Sequence, residues 1–192
     1  MQRLVDLIVA AMLSVVAAPL AVLVAIIVAL TLGRPLLFRQ VRSGAGGRPF
    51  TLVKFRTMRL VPGDDAERTP TVGRWLRRSR LDELPQLVNI LRGDMAFVGP
   101  RPLLPETIAA WGADGSARGA VRPGLTGWAQ VHGNTRLSNH EKLALDLWYI
   151  ENRTLILDLS LLARTVGVVL FGEHANRPAL ERAHASSRRR RS

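Results

Sequence analysis

The feature that most constrains the fold of this chain is an uncharged, apolar run near its N-terminus. From Leu7 to Leu32 the sequence has no charged side chain, and a run of this length can cross the hydrocarbon core of a bilayer as a helix. A secretory signal peptide has a shorter apolar core followed by a small-residue cleavage site, and neither property fits this run. We therefore predict a membrane anchor over residues 1–34.

A proline near the middle of the run allows two shapes for this anchor. Pro19 removes one helical hydrogen bond, and its ring clashes with the carbonyl of Val15. The anchor is then either a kinked helix that spans the membrane or a re-entrant hairpin that enters and leaves by the same face. Arg3 precedes the run and Arg34 follows it. Because basic residues favour the cytoplasmic side, the hairpin satisfies both ends of the run.

A second stretch covers residues 79–102 and reads SRLDELPQLVNILRGDMAFVGPRP. It has two adjacent carboxylates, Asp82 and Glu83, near its start. Asp82 is a favourable helix N-cap, Pro85 suits the first helical turn, and Gly93 suits the helix end. The dipole of such a helix would keep Asp82 ionised and would attract a phosphate. Nearby arginines indicate phosphate chemistry, although a structural cap beside a solvated basic face explains the residues equally well. These arginines are Arg77, Arg78, Arg80, Arg92 and Arg101.

Composition narrows the partners and the chemistry. The 192 residues carry 27 Lys and Arg against 15 Asp and Glu, a net charge of +12, which indicates an anionic partner such as nucleic acid, lipid headgroups or a phosphorylated substrate. The sequence has no cysteine, so it can form neither disulfides nor a thiolate nucleophile. It also lacks a Walker-type loop and a dinucleotide fingerprint. The spacing of the four histidines does not match that of metal ligands. They are His132, His140, His174 and His184.

Local patterns predict the remaining elements. A glycine-rich turn should join two short strands over residues 36–41 and 50–55. The pair Ser138 and Glu141 forms a capping box that should open a helix ending near Asn152. Trp75 and Leu76 suggest a short amphipathic helix at the membrane surface. We further expect loops over 61–70 and 111–118, a strand over 128–130, an apolar helix over 155–171, and a disordered, lipid-binding basic tail over 173–192.

Four blocks of sequence together resemble the bacterial sugar transferases, the monotopic phosphoglycosyl transferases that start many surface-glycan pathways. The blocks are FRQVRSGAGGRPFTLVKFRTM, then LDELPQL with GDMAFVGPRPL, then VRPGLTGWAQVHGN and EKLALDLWYIEN. They follow the family's order over roughly residues 1–172. The resemblance implies a mixed, helix-rich α/β fold, in which the re-entrant anchor precedes a small cytoplasmic catalytic domain over 35–172 with short strands and interfacial amphipathic helices. Where the family has Ser-Pro at the break, this chain has Ala18-Pro19.

The same resemblance implies a reaction and its participants. A nucleotide sugar, most often a UDP-sugar, would be the donor, polyprenol phosphate at the bacterial inner membrane the acceptor, and Mg²⁺ the cofactor. Asp82 would be the nucleophile that forms a covalent phosphosugar adduct, and Glu83 would ligate Mg²⁺. Arg77 and Arg101 would hold phosphate oxygens. The other residues implied to bind substrate are Lys54, Arg56, Pro100, Pro102 and Asp146.

Two rival functions fit parts of the sequence. A membrane-tethered nucleic-acid-binding protein would explain the positive charge and the arginine-rich tail. It would leave the carboxylate pair and the Pro-Arg-Pro corner, residues 100–102, unexplained. The sequence also shows no recognition helix or aromatic stacking pattern. We therefore expect no nucleic-acid partner. The second rival is an inactive scaffold of the same fold, which the retained Asp-Glu pair argues against. The sequence identifies no particular sugar and leaves homodimer formation open.

Overall fold

The computed structural model describes the backbone of residues 2–172 and 176–191 and the side chains of residues 3–172 and 176–186. The fold is a helix-rich mixture of α and β structure, as predicted. Contacts divide the chain into two compact units, the first of Met1–Gln40 and Thr51–Gly93 and the second of Val41–Phe50 and Asp94–Ser192. The N-terminal helix therefore shares a unit with the carboxylate pair.

The apolar run forms one continuous helix, α1 (Gln2–Leu32), with Pro19 inside it. Only 11 % of the residues in its most apolar window are buried. A core helix of a water-soluble protein would cover most of this apolar surface, because burying it from water is favourable. Among the described residues, α1 is the one helix long and apolar enough to cross a membrane, and its exposed side chains indicate membrane association.

Both ends of α1 contact other parts of the first unit. At the N-terminal end, the Arg3 guanidinium donates to the main-chain carbonyls of Ile90 at 2.6 Å and Leu91 at 3.0 Å. In the C-terminal half, Val24 and Val28 are buried in an apolar cluster with Phe55 and Leu76. These contacts hold α1 against the segment that carries the carboxylates.

The predicted hairpin is present as strands β1 (Leu37–Ser43) and β2 (Pro49–Phe55), which pair in a two-stranded sheet. The connection contains a 3₁₀ turn, Ala45–Gly47, in which Gly46 and Gly47 have φ values of 63° and 73°. Glycine adopts this left-handed conformation without steric cost, which explains the glycine-rich sequence at this turn.

Helical segments surround the carboxylate pair in the remainder of the first unit. They are α2 (Asp65–Arg68), α3 (Thr71–Arg78), a 3₁₀ turn (Leu81–Glu83) and α4 (Gln86–Arg92). The predicted loop over 61–70 therefore contains α2, which a capping box between Asp64 and Glu67 opens. On α3, Leu76 is fully buried whereas Trp75 is 51 % exposed, so the helix is amphipathic as predicted.

The predicted start of the central helix is wrong. Asp82 does not cap it, because α4 begins at Gln86 with Pro85 in the capping position. Pro85 has no N–H to donate to the 3₁₀ turn, so the regular hydrogen bonds of α4 begin only after it, although Leu84 and Pro85 both have right-handed helical backbone angles. The helix ends at Gly93, whose φ of 94° is left-handed as predicted. The expected effect of a helix dipole on Asp82 therefore loses its structural basis.

In the second unit, β3 (Ala96–Val98) and β4 (Gly124–Thr126) are parallel neighbours. The strand predicted at 128–130 is wrong, because β4 ends earlier and a short helix follows. The strands lie so close that a Cβ atom on Gly124 would be 2.1 Å from the backbone nitrogen of Gly99. The helices of this unit are α5 (Pro105–Ala109), α6 (Gly112–Arg118), α7 (Trp128–Val131), α8 (Asn139–Asn152), α9 (Leu155–Phe171) and α10 (Arg177–Arg191).

Two of these helices lie where the sequence predicts a loop and a disordered tail. Helix α6 occupies the predicted loop over 111–118, where a Cβ atom on Gly115 would lie 2.1 Å from the carbonyl oxygen of Ile108. Helix α10 occupies most of the tail expected to be disordered. It packs on α8 and buries Ala179 and Ala183, and this tertiary contact explains its order. His174, one of the four histidines considered as ligands, lies outside the described residues.

Candidate active site

Asp82 and Glu83 are buried side by side in the 3₁₀ turn, with 4 % and 8 % of their surfaces exposed. Arg80, just before the turn, has a left-handed backbone with a φ of 59°. This conformation is costly for a residue with a side chain, and such residues concentrate at functional sites. Within the described part of the chain, Oδ1 of Asp82 has no hydrogen-bond partner. The turn thus presents a buried carboxylate oxygen that can contact a ligand.

Opposing electrostatic effects set the charge of this carboxylate. Burial, followed by the neighbouring Glu83, raises the pKa of Asp82 to about 6, whereas Lys54, Arg77 and Arg80 lower it. With that pKa, most Asp82 carboxylates are ionised at neutral pH. Arg80 also pairs with Glu83, its Nη1 atom lying 3.4 Å from Oε1. The structure therefore brings together the predicted Asp82, Glu83, Lys54 and Arg77, together with Arg80.

The two other cations of this group, Arg77 and Lys54, contact neighbouring side chains. The Nε atom of Arg77 donates to the Thr57 hydroxyl at 2.8 Å. One turn earlier on α3, a Cβ atom on Gly73 would lie 2.0 Å from the carbonyl oxygen of Thr57. Helix α3 can therefore lie directly on Thr57 only because position 73 is glycine. Lys54, on β2, places its ammonium 5.2 Å from the centre of the Phe38 ring.

Asn89 is a supporting residue that sequence reasoning missed. It is fully buried on α4, where its Nδ2 atom donates to the Thr51 carbonyl at 2.8 Å. Its Oδ1 atom accepts from the Val53 amide at 3.2 Å. These two bonds fasten α4 to β2, the strand that carries Lys54. A single asparagine between apolar residues gives no sequence signal for such a contact.

The structure gives Arg56 a role in holding the membrane helix. Its guanidinium donates to the carbonyls of Leu32 at 2.5 Å, Gly33 at 2.7 Å and Pro35 at 2.8 Å. Carbonyls at a helix C-terminus lack intrahelical partners. A cation there also interacts favourably with the negative end of the helix dipole. Strand β2 ends at Phe55, before Arg56. A contact between Arg56 and substrate stays a prediction.

The Pro-Arg-Pro corner lies in the second unit and its backbone is held by hydrogen bonds. The Pro100 carbonyl accepts from the Gly124 amide at 2.9 Å, and the Arg101 carbonyl accepts from the Arg118 guanidinium at 2.5 Å. Pro100 and Pro102 are buried, whereas Arg101 is half-buried. These contacts hold the backbone at Arg101, which the prolines on both sides also restrict.

Asp146 also belongs to the second unit, where it forms a buried ion pair with Arg118 at 2.8 Å. The two residues are 2 % and 5 % exposed. Burial raises the pKa of Asp146, and the charge and hydrogen bond of Arg118 lower it. Arg118 was missed because it lies in the segment expected to be a loop. Its partner is 28 residues away in the sequence, so no local pattern marks the pair.

The carboxylate pair has the kind of ligands that Mg²⁺ uses, and too few ligands for a metal held by protein side chains alone. Among residues 2–172 and 176–191, no three His, Cys, Asp or Glu side chains gather into a metal-binding group. Mg²⁺ is commonly held by one or two carboxylates together with substrate phosphates and water. Glu83 provides a carboxylate of the required type beside the unpartnered oxygen of Asp82, and the binding of Mg²⁺ by Glu83 stays a prediction.

Comparison with known proteins places these residues in a family context. The bacterial sugar transferase family model matches residues 1–172. The uncharacterized sugar transferase EpsL of Bacillus subtilis is 44 % identical over 155 residues, which cover 77 % of this chain and 76 % of that protein. The UDP-glucose:undecaprenyl-phosphate glucose-1-phosphate transferase of Caulobacter vibrioides is 41 % identical over 192 residues, 91 % of this chain and 71 % of that protein. The Escherichia coli protein of the same name is 33 % identical, and the match covers 86 % of this chain but 39 % of that protein.

Proposed function

Because this chain belongs to the bacterial sugar transferase family, we propose that it transfers a sugar phosphate from a UDP-sugar to a polyprenol phosphate, the first step of surface-glycan or exopolysaccharide synthesis. Relatives that match most of this chain are named for transfer to undecaprenyl phosphate. The structural observation that supports the proposal is the buried Asp82–Glu83 pair beside Lys54, Arg77 and Arg80. A nucleophilic carboxylate surrounded by cations suits attack on an anionic diphosphate, because the cations offset charge repulsion.

The reaction consists of two phosphoryl transfers. A carboxylate oxygen of Asp82 first bonds to the β-phosphorus of the donor, the bond from that phosphorus to the bridging oxygen breaks, and UMP leaves with the electron pair. A phosphate oxygen of the polyprenol phosphate then bonds to the same phosphorus, and Asp82 leaves as a carboxylate. The product is a polyprenyl diphosphate sugar. Positioning and charge neutralisation supply most of the rate in such reactions.

Each residue of the pair then has its own task. Successive side chains of a helical turn point in different directions, so both carboxylates cannot approach one phosphorus atom in line. Asp82 is the nucleophile and Glu83 the proposed ligand of Mg²⁺, which supplies charge neutralisation at phosphate oxygens when it is bound. Lys54 and Arg77 bind and orient the phosphates. A phosphate contact of Arg101 stays a prediction.

We further propose that α1 is re-entrant and that the chain acts at the cytoplasmic face of the inner membrane. A helix that spans a bilayer has its ends on opposite sides, about 30 Å apart. Both ends of α1 instead contact the first unit, through Arg3 at one end and through Val24 and Val28 at the other. Ser14 donates to the carbonyl of Ala10 at 2.7 Å, a bond type that often bends helices.

Labelling of single cysteines in intact cells tests this topology. The chain has no native cysteine, so Gln2→Cys and Arg39→Cys each provide one reactive thiol. A re-entrant α1 keeps both thiols inside the cell, and an impermeant maleimide should label them only after lysis. Labelling of Gln2→Cys from outside, with Arg39→Cys protected, would show that α1 spans the membrane.

Release of UMP by the detergent-solubilised chain tests the proposed reaction. A panel of UDP-sugars is incubated with the protein, Mg²⁺ and a polyprenol phosphate. We expect UMP release with at least one donor and formation of the corresponding polyprenyl diphosphate sugar. A properly folded preparation that releases UMP from no donor would contradict the proposal and favour an inactive scaffold.

A further inference from the structure

Arg3 lies in the first turn of α1, where its positive charge does not stabilise its own helix. A helix dipole favours anions at the N-terminus of the helix and cations at its C-terminus. The Arg3 guanidinium instead contacts the C-terminal end of α4, where it donates to the carbonyls of Ile90 at 2.6 Å and Leu91 at 3.0 Å. The last carbonyls of a helix lack partners within it, so Arg3 caps α4 from another element of the first unit.

The end of α4 has room for this guanidinium because residue 93 is glycine. Gly93 has a φ of 94°, and its amide donates to the carbonyls of Asn89 and Ile90, both at 3.1 Å. A Cβ atom on Gly93 would lie 3.1 Å from Nη2 of Arg3, closer than ordinary van der Waals contact. The glycine therefore permits both the left-handed end of α4 and the close approach of Arg3.

The backbone between the carboxylate pair and this capped end is helical throughout. Leu84 and Pro85 have right-handed helical angles, and the Leu87 amide donates to the Leu84 carbonyl at 3.2 Å. Residues 81–92 thus form one short helical rod, with Asp82 near its start and the Arg3 contact at its end. A change in the tilt of this rod moves the Asp82 carboxylate.

We propose that Arg3 is a positioning residue, which fixes the direction of the rod and so the direction from which Asp82 attacks. The inference rests on the proposed function. Asn89 attaches the middle of α4 to β2 through two hydrogen bonds. Arg3 attaches the end of the same helix to α1. Two separated attachments fix the direction of a helix, whereas a single one allows it to pivot.

The proposal predicts a slower attack with unchanged donor binding when the Arg3 contact is lost. In the proposed reaction Lys54 of β2 and Arg77 of α3 bind the donor phosphates, and neither residue belongs to the rod. A cation before an apolar run also favours retention on the cytoplasmic side of a membrane. Purified protein in detergent has no two sides to distinguish, so that second role does not affect its rate.

Arg3→Met removes the donors and keeps an unbranched side chain. UMP release is followed in detergent with Mg²⁺ and a UDP-sugar that the wild type uses, without acceptor, so that each competent molecule reacts once. The amplitude of this burst counts folded sites, and its rate constant reports the attack by Asp82. We expect the rate constant to fall about tenfold, because small misplacements of a reacting group slow the reaction. The amplitude and the donor concentration that gives half the maximal rate should stay unchanged.

Arg3→Lys and Arg34→Met are matched controls. The ammonium of lysine is a cation with several N–H donors that can bond the same carbonyls, so Arg3→Lys should recover most of the rate. Arg34 flanks the other end of the apolar run and is exposed. Its substitution removes the same charge and should leave the rate constant unchanged.

Gly93→Ala perturbs the contact from the side of α4. The backbone strain at a φ of 94° affects this variant whether or not arginine is present at position 3. Crowding of the guanidinium occurs only when arginine is present. We therefore expect Gly93→Ala to slow the attack by a larger factor in the wild-type background than in the Arg3→Met background.

Four results would overturn the inference. A lower burst amplitude with an unchanged rate constant would make Arg3 a purely structural residue. Equal slowing by Arg34→Met would assign the effect to charge beside the apolar run. Equal factors for Gly93→Ala in the two backgrounds would show that the contact does not affect the attack. Wild-type protein that gives no burst with any donor would overturn the proposed function itself, and this inference with it.

Discussion

Asp82→Asn is expected to abolish UMP release from every UDP-sugar. The amide has nearly the same size as the carboxylate, so the 3₁₀ turn should keep its structure. An amide cannot form the phosphosugar adduct, because it lacks a nucleophilic anionic oxygen. Removal of a negative charge beside Glu83 should also leave the fold at least as stable, since the two buried carboxylates repel each other. The measurements are UMP release without acceptor and melting temperature in detergent.

Glu83→Gln is the matched comparison at the next position. It removes one charge from the same buried turn and leaves the proposed nucleophile in place. We expect a strongly reduced rate with residual UMP release that increases with Mg²⁺ concentration. Normal UMP release by Asp82→Asn, with complete loss in Glu83→Gln, would require the two roles to be exchanged.

Arg118→Met is expected to cause the largest loss of stability, about 3–5 kcal/mol. It leaves Asp146 buried without its ion-pair partner and removes the bond to the Arg101 carbonyl. The free energy of unfolding can be followed by denaturant titration of the protein in detergent micelles. UMP release should fall as well, because the backbone beneath Arg101 loses a fixed contact.

A double variant separates the charge effect from simple loss of packing. Arg118→Met with Asp146→Leu removes both charges, and replacement of a buried ion pair by apolar residues is often neutral or stabilising. We therefore expect the double variant to recover most of the lost stability. If both variants are equally destabilised, the unpaired carboxylate is not the cause.

Local sequence signals predict the elements whose ends they determine. Helix α9 spans Leu155–Phe171, as its apolar run indicates, and the capping box at Ser138 and Glu141 opens α8 as predicted. The β1–β2 hairpin likewise has its turn at the glycines, as predicted. Family membership and transferase chemistry were also predictable, because four sequence blocks retain the family's order.

Contacts between distant residues account for what local patterns missed. Helix α10 is ordered by packing on α8, and Gly115 permits the close contact of α6 with α5. At the candidate site, the sequence identifies the carboxylate pair but not Asn89. This polar residue acquires its role only when β2 lies beside it in the fold.

The covalent adduct is the central claim, and its position can be determined directly. Wild-type protein is incubated with a UDP-sugar and Mg²⁺ without acceptor, quenched and digested, and its peptides are analysed by mass spectrometry. We expect the mass of one sugar phosphate on the peptide that contains Asp82, and fragmentation should place it on that residue. The adduct should disappear when polyprenol phosphate is added before the quench. UMP release with no modified peptide, or with the sugar phosphate on another residue, would contradict Asp82 as the nucleophile.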